Sequence, residues 1–130
     1  MRAVRFELAG RERYLCFTVE AMFQLEERFG GTRELIDTMS ANTRDGFAAA
    51  CKAAAILAEQ GELARRQMGY TPQPILDADG VSAALAPADL ARLKLAVTSA
   101  ITLGYGREVA PENDEVDLGL AELNEQKKTG

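Results

Sequence analysis

Apolar residues stand at every second position near the start of the chain. Residues 3–9 show this alternation, and residues 12–17 form a second such run, as is typical of strands with one buried face. Between the runs lies Gly10-Arg11, and a glycine in first position suits a two-residue type II′ turn. The pattern predicts a β-hairpin over residues 3–17 with Phe6 opposite Leu15 and Val4 opposite Phe17. Its buried face would carry Val4, Phe6, Leu8, Leu15 and Phe17.

Downstream of the hairpin, apolar residues recur every three to four positions, which predicts helices. Three stretches follow this period, over residues 18–30, 32–39 and 43–60. Thr18, Thr32 and Thr43 open them, and threonine is a favoured N-cap because its hydroxyl can accept a backbone N–H. Glycines close the first and third stretches. We therefore expect three consecutive helices, the third ending at Gln60 because Gly61 follows.

The pattern is weaker between Gly61 and the last helix. Residues 62–68 are typical of a short helix, whereas the prolines and glycine of residues 69–74 predict a loop. Residues 75–81 predict a turn, because the Asp77-Ala78-Asp79 sequence lacks the downstream glycine and glutamate of a calcium loop. Pro87 suits the first position of a long helix that ends at Gly104.

These elements define an α+β protein with an N-terminal β-hairpin, a mainly α-helical body and a flexible acidic C-terminal tail. We expect a single globular domain over residues 1–104 and a disordered tail over residues 105–130. The tail carries seven acidic and three basic side chains, and it has too little apolar surface to offset its ordering entropy alone. Leu118, Leu120 and Leu123 interrupt it, either as a docking segment for a partner or as a contact back onto the domain.

The composition excludes several kinds of chemistry. The chain has no histidine, so it lacks the commonest general base and metal ligand, and two cysteines alone cannot form a structural zinc site. We expect no metal, no cofactor and no catalytic residues. Cys16 and Cys51 are expected to be reduced core thiols in a cytoplasm. The formal net charge of −5 disfavours nucleic-acid binding, and no stretch is long enough for a membrane span.

The order of these features resembles a known family. The hairpin passes straight into Phe17-Thr18-Val19-Glu20-Ala21, the first helix ends in Leu25-Glu26-Glu27-Arg28-Phe29-Gly30, and Ala-rich helices follow. The chain closes with Glu115-Val116-Asp117-Leu118-Gly119-Leu120-Ala121-Glu122-Leu123 and a Lys-Lys pair. This arrangement is similar to that of the tail assembly chaperones of long-tailed, siphovirus-like phages and prophages. The resemblance does not extend to residues 65–86.

The resemblance implies a non-enzymatic role in phage tail assembly. Such chaperones bind the tape measure protein in the host cytoplasm, keep its apolar helices from aggregating and are absent from the mature virion. It also implies self-association, which would help to coat a long client through multivalency.

Many members of the family are also made in a longer form by ribosomal frameshifting, and the extension recruits the tail tube protein. Gln126-Lys127-Lys128 fits a slippery run of the form A-AAA-AAG, because one glutamine codon ends in A. We therefore take residues 126–128 as the candidate frameshift position. Two lysines near a C-terminus are also common simply as solubilising residues.

Two other classes of function remain open from the sequence. The acidic tail is also compatible with a small regulatory or antitoxin-like module that binds another protein. An enzyme that uses only Asp, Glu, Arg, Tyr or Cys is the weaker third alternative, because no such set of residues has a recognisable spacing. Neighbouring genes would separate the first two classes, and a deep cleft with clustered carboxylates would favour the third.

Overall fold

A computed structural model describes residues 2–106 and the backbone of residues 115–117, and it confirms the α+β class. A two-stranded antiparallel hairpin is followed by a mainly helical body. The elements in chain order are β1 (Arg2–Leu8), β2 (Arg11–Leu15), α1 (Val19–Phe29), α2 (Thr32–Ser40), α3 (Arg44–Gln67), α4 (Ala78–Ala83), a 3₁₀ turn (Pro87–Asp89), α5 (Leu90–Gly104) and β3 (Glu115–Asp117).

The hairpin forms, but its turn lies one residue earlier than predicted. Ala9 and Gly10 both have positive φ angles, of 53° and 75°, as the two central residues of a type I′ turn require. The register therefore pairs Val4 with Leu15 and Phe6 with Arg13, and the predicted pairing of Phe6 with Leu15 is wrong. Because the two registers differ by two residues, the side chains within β1 and β2 keep their predicted faces.

Contacts with the rest of the domain explain this register. The backbone N–H of Cys16 donates to Leu57 O of α3 at 3.1 Å, which ties the end of β2 to the helix. Phe17 leaves the sheet, and its ring packs against Tyr105 with the centroids 5.0 Å apart. Phe17 is thus used at the end of α5 and not as a partner of Val4.

A third strand completes the sheet in the order β2-β1-β3. β3 pairs antiparallel with the first residues of β1, so that Arg2 lies opposite Asp117 and Val4 opposite Glu115. The sequence pattern did not predict this strand, since it assigned these residues to the acidic tail. β3 places this short part of the tail beside the hairpin.

Helix α3 is the centre of the domain. It packs against α1, α2, α4, α5 and β2, and its middle turns are buried on nearly every side, as expected for a helix inside a core. Its many alanines allow the neighbouring elements to approach closely. Leu57 of α3, Leu15 of β2, Leu25 of α1, Leu35 of α2 and Val97 of α5 are all fully buried in the same apolar core.

The predicted end of this helix at Gln60 is wrong. α3 runs through Gly61 to Gln67 and so includes residues 62–67 of the predicted short helix, with Met68 as its C-cap. A β-carbon at position 61 would lie 1.7 Å from the carbonyl oxygen of Tyr14. Gly61 therefore serves as the point where the helix backbone touches β2, and it does not act as a stop signal.

The helix starts follow the predicted caps in two cases of three. Thr18 Oγ1 accepts the N–H of Ala21, and Thr43 Oγ1 accepts the N–H of Gly46. Thr32 is instead the first residue of α2, whose N-cap is Gly31 without a side-chain bond. Gly30 ends α1 in the left-handed conformation, as predicted.

Two elements between α3 and α5 differ from the expectation. The predicted turn at residues 75–81 contains the start of α4, and Asp77 caps that helix by accepting the N–H of Gly80 at 2.8 Å. Pro87 begins a 3₁₀ turn, and α5 starts after it at Leu90. Within the described residues, no helix combines the length and apolar character needed to cross a membrane.

Candidate functional site

The predicted site residues of the tail lie outside the described residues. These are the leucines proposed for docking and the candidate frameshift position, namely Leu118, Leu120, Leu123, Gln126, Lys127 and Lys128. Their roles remain predictions. The described part of the chain presents two other features, an exposed apolar face on α1 and a buried cluster of charged side chains on α3.

The two thiols are held in the core in their neutral form. Cys16 is fully buried, and burial raises the pKa of its thiol to about 12. Burial also raises the pKa of Cys51, and a hydrogen bond with Ser82 only partly opposes this effect. A nucleophilic cysteine needs an accessible thiolate, so neither residue is suited to catalysis. Over residues 2–106, no three Asp, Glu or Cys side chains lie together in a way that could hold a metal ion.

One face of α1 exposes two large apolar side chains. Val19 is 66% exposed and Phe23 is 50% exposed, and their spacing of four residues places them side by side along the helix. Glu20, Glu26 and Glu27 are exposed on the same helix. We call these five residues the α1 outer face. It presents a small apolar surface among carboxylates.

The sequence contained a signal for the α1 outer face. The helical spacing of Met22, Leu25 and Phe29 predicts that these residues form the buried stripe of α1, and Leu25 is indeed fully buried. Val19 and Phe23 are apolar residues that do not fall on that stripe. Large apolar residues outside a helix's buried stripe are candidates for contact with a partner.

A buried carboxylate on α3 organises the second feature. Glu62, only 6% exposed, accepts from Arg65 Nη1 at 2.8 Å and from Arg66 Nε at 2.9 Å. It also accepts the backbone N–H of Gln73 at 2.7 Å. Burial alone would raise the pKa of Glu62, but the hydrogen bonds from Gln73, Arg66 and Arg65 outweigh it and hold the pKa below its ordinary value. Glu62 is therefore an ionised anchor at neutral pH.

Three arginines bind the segment that follows α3, which we call the strap and define as residues 70–76. Arg65 Nη1 donates to Thr71 O at 3.2 Å and Arg66 Nη2 donates to Gln73 O at 2.9 Å. Arg13 of β2 donates to Pro74 O. The guanidinium of Arg65 also lies over the ring of Tyr70, 5.4 Å from its centroid.

Sequence reasoning did not identify this cluster. Glu62, Arg65 and Arg66 have the spacing of ion pairs along a helix and fall in the predicted short helix of residues 62–68, but the pattern did not indicate that Glu62 and Arg65 are buried. Arg13 and Pro74 are 61 residues apart, and no local pattern could have joined them. The cluster holds three arginines and one ionised carboxylate, so its net charge is positive, and its hydrogen bonds to the strap suit binding.

Comparison of the chain with protein-family models, with curated proteins and with solved structures finds no match in any of the three.

Proposed function

We propose that this protein is a non-enzymatic chaperone of phage tail assembly that binds the tape measure protein through the α1 outer face. The proposal draws its biological setting from the resemblance in feature order along the chain. The observation that carries it is the exposure of Val19 and Phe23 side by side on one helix. In this proposal the protein works in the host cytoplasm and is absent from the mature virion.

The α1 outer face favours a particular kind of client segment. An amphipathic helix can place its apolar stripe on Val19 and Phe23. The exposed carboxylates of Glu20, Glu26 and Glu27 surround this apolar pair, so basic residues at the edges of the client's stripe would be attracted to them. Attraction between exposed charges fades as ionic strength increases. Binding of the client should therefore weaken with salt without being abolished.

Co-expression with the tape measure protein encoded by the same genome tests this function. The intact protein should keep the client in the soluble fraction, and the double variant Val19→Ser/Phe23→Ser should lose most of this effect. Leu95→Ser is the matched control, because Leu95 is also exposed, at 53%, and lies on a different helix, α5. Exposed substitutions of this kind change stability by no more than about 0.5 kcal/mol, so all variants should remain folded.

Two outcomes would contradict the proposal. If the client aggregates equally with and without the protein, the chaperone function is wrong. If the α1 double variant protects the client as well as the Leu95 variant does, the client binds elsewhere.

The proposal includes self-association and a longer form that recruits the tail tube protein. The longer form requires a slippery run in the codons for residues 126–128 and an open −1 frame beyond it. The DNA sequence alone tests this part. A stop codon shortly after the slip in that frame would remove the longer form from the proposal and leave the chaperone function untouched.

A further inference from the structure

The groove under the strap recognises main-chain atoms. Its four hydrogen bonds reach the carbonyl oxygens of Thr71, Gln73 and Pro74 and the N–H of Gln73. The side chains at positions 71, 72 and 74 face solvent. A segment with other side chains at these positions could therefore make the same four bonds.

The two prolines of the strap define the backbone that fits the groove. Proline fixes its own φ angle and biases the preceding residue to an extended conformation, which applies to Thr71 and Gln73. Because proline has no N–H, residues 72–74 have a single backbone donor, and Glu62 binds it. The groove thus suits an extended X-Pro-X-Pro segment, and Tyr14 lines it, as aromatic side chains line other sites for proline-rich peptides.

The strap does not fill this groove completely. Arg13 is only 8% exposed, yet among the described residues no acceptor lies within hydrogen-bonding distance of its Nε. A void of about 10 Å³ lies beside it, with Glu62, Pro74 and Leu76 in its wall. An unmet buried donor is unfavourable, because it loses its hydrogen bonds to water and gains none in the protein. Another extended segment could therefore bind the groove with an affinity equal to or higher than that of the strap.

We propose that the groove formed by Glu62, Arg65 and Arg66 of α3 and Arg13 and Tyr14 of β2 is a docking site for an extended, proline-containing segment of a partner protein. The strap occupies this site in cis and blocks it until the partner displaces it. This site is separate from the α1 outer face, and the proposal does not depend on the chaperone function.

The tether makes the strap a strong competitor. A covalently attached ligand acts at an effective concentration in the millimolar range, so a free peptide of equal affinity displaces it only slightly. Replacing Pro72 and Pro74 by glycine increases the freedom of the released strap and should raise the open fraction about 10-fold. The double variant Pro72→Gly/Pro74→Gly should therefore bind an added peptide about 10-fold more tightly than the natural chain does.

A fluorescent synthetic peptide with the sequence of residues 69–77 is the probe, and its binding is measured by fluorescence anisotropy. The matched control peptide carries an N-methyl group on the amide of its glutamine, which removes the N–H that Glu62 accepts and leaves every side chain in place. Binding of the control should be at least 10-fold weaker. A third peptide with serine in place of the threonine should bind like the first, because the side chain at position 71 faces solvent.

The proposal is wrong if the double variant binds the probe no better than the natural chain, or if the N-methylated peptide binds equally well. Circular dichroism checks that the double variant is folded. The natural chain gives a second measurement that needs no variant, namely hydrogen exchange at the Gln73 amide. A millimolar excess of the probe should speed this exchange, and an unchanged rate would overturn the proposal by itself.

Discussion

Substitution of Gly61 by alanine tests the close contact between α3 and β2. In an ordinary helix interior this change stabilises by about 1 kcal/mol, because alanine has the higher helix propensity. Gly61 lies inside α3, but its backbone touches β2. The structure therefore predicts that Gly61→Ala lowers the free energy of unfolding. The size of this loss follows from the atoms in contact.

An added β-carbon at position 61 would lie 1.7 Å from Tyr14 O and 2.7 Å from Tyr14 C. These are backbone atoms, so α3 and β2 must move apart by roughly 1 Å or more in a densely packed interior. Overpacking of this kind costs about 1–3 kcal/mol. The movement also breaks the bond from Cys16 N to Leu57 O, and an unmet buried N–H costs about 1–3 kcal/mol. After the propensity gain is subtracted, we expect a net loss of about 3 kcal/mol.

Urea unfolding followed by far-ultraviolet circular dichroism measures this loss. With an m-value of about 2 kcal/mol/M, the midpoint of Gly61→Ala should fall by about 1.5 M. Position 52 is the matched control, because Lys52 is exposed on the same helix. There the alanine variant should be more stable than the glycine variant by about 1 kcal/mol. If alanine is also the more stable residue at position 61, the helix does not touch β2 there and the reasoning is refuted.

Three further predictions follow from local features. Ala9→Asn should stabilise the protein by about 0.5 kcal/mol in thermal unfolding, because asparagine suits the positive φ of a type I′ turn. A loss of stability would instead favour the register with the turn at Gly10-Arg11. In urea unfolding, Thr18→Ala should lower the free energy of unfolding by about 2 kcal/mol and Thr43→Ala by about 1 kcal/mol. Both variants lose a helix cap, but Thr18 also donates to Gln60 Oε1 at 2.6 Å. Equal losses would contradict a role for that bond. The Cys16 thiol should resist a thiol reagent at pH 8 in the folded protein. Above pH 9 the unfolded thiol loses its proton and the folded one keeps it, so the free energy of unfolding should fall by up to about 1.4 kcal/mol per pH unit. A Cys16→Ala variant should show a flatter decline, and identical pH profiles would count against the raised pKa.

Local signals in the sequence were sufficient for the fold class and for most helix boundaries. Thr18 and Thr43 cap their helices through a backbone N–H three residues away, and Gly30 ends α1 within the same short range. Such signals involve atoms that are always close in the chain. The faces of the hairpin were also predictable, because alternation fixes them even when the register moves by two residues.

The candidate sites were less accessible to sequence reasoning. Val19 and Phe23 could be noticed as apolar residues outside the buried stripe of α1, but only the packed domain shows that, within residues 2–106, they stay exposed. The strap groove joins Arg13 to a loop far along the chain. The groove binds main-chain atoms of the strap. The strap sequence therefore carries no recognisable pattern except its two prolines.

The sequence by itself determined the two hairpin strands, α1, α2 and the start of α3, since caps, turns and periodicity act within a few residues of one another, whereas it did not indicate α4 or β3. Only the tertiary structure decided the register of the hairpin, the continuation of α3 through Gly61 and the place of the strap. Each of these depends on atoms brought together from distant positions, as when Tyr14 O meets the backbone of Gly61. Gly61 would end an isolated helix, but α3 continues through it. The absence of a β-carbon at this position leaves room for the backbone of β2.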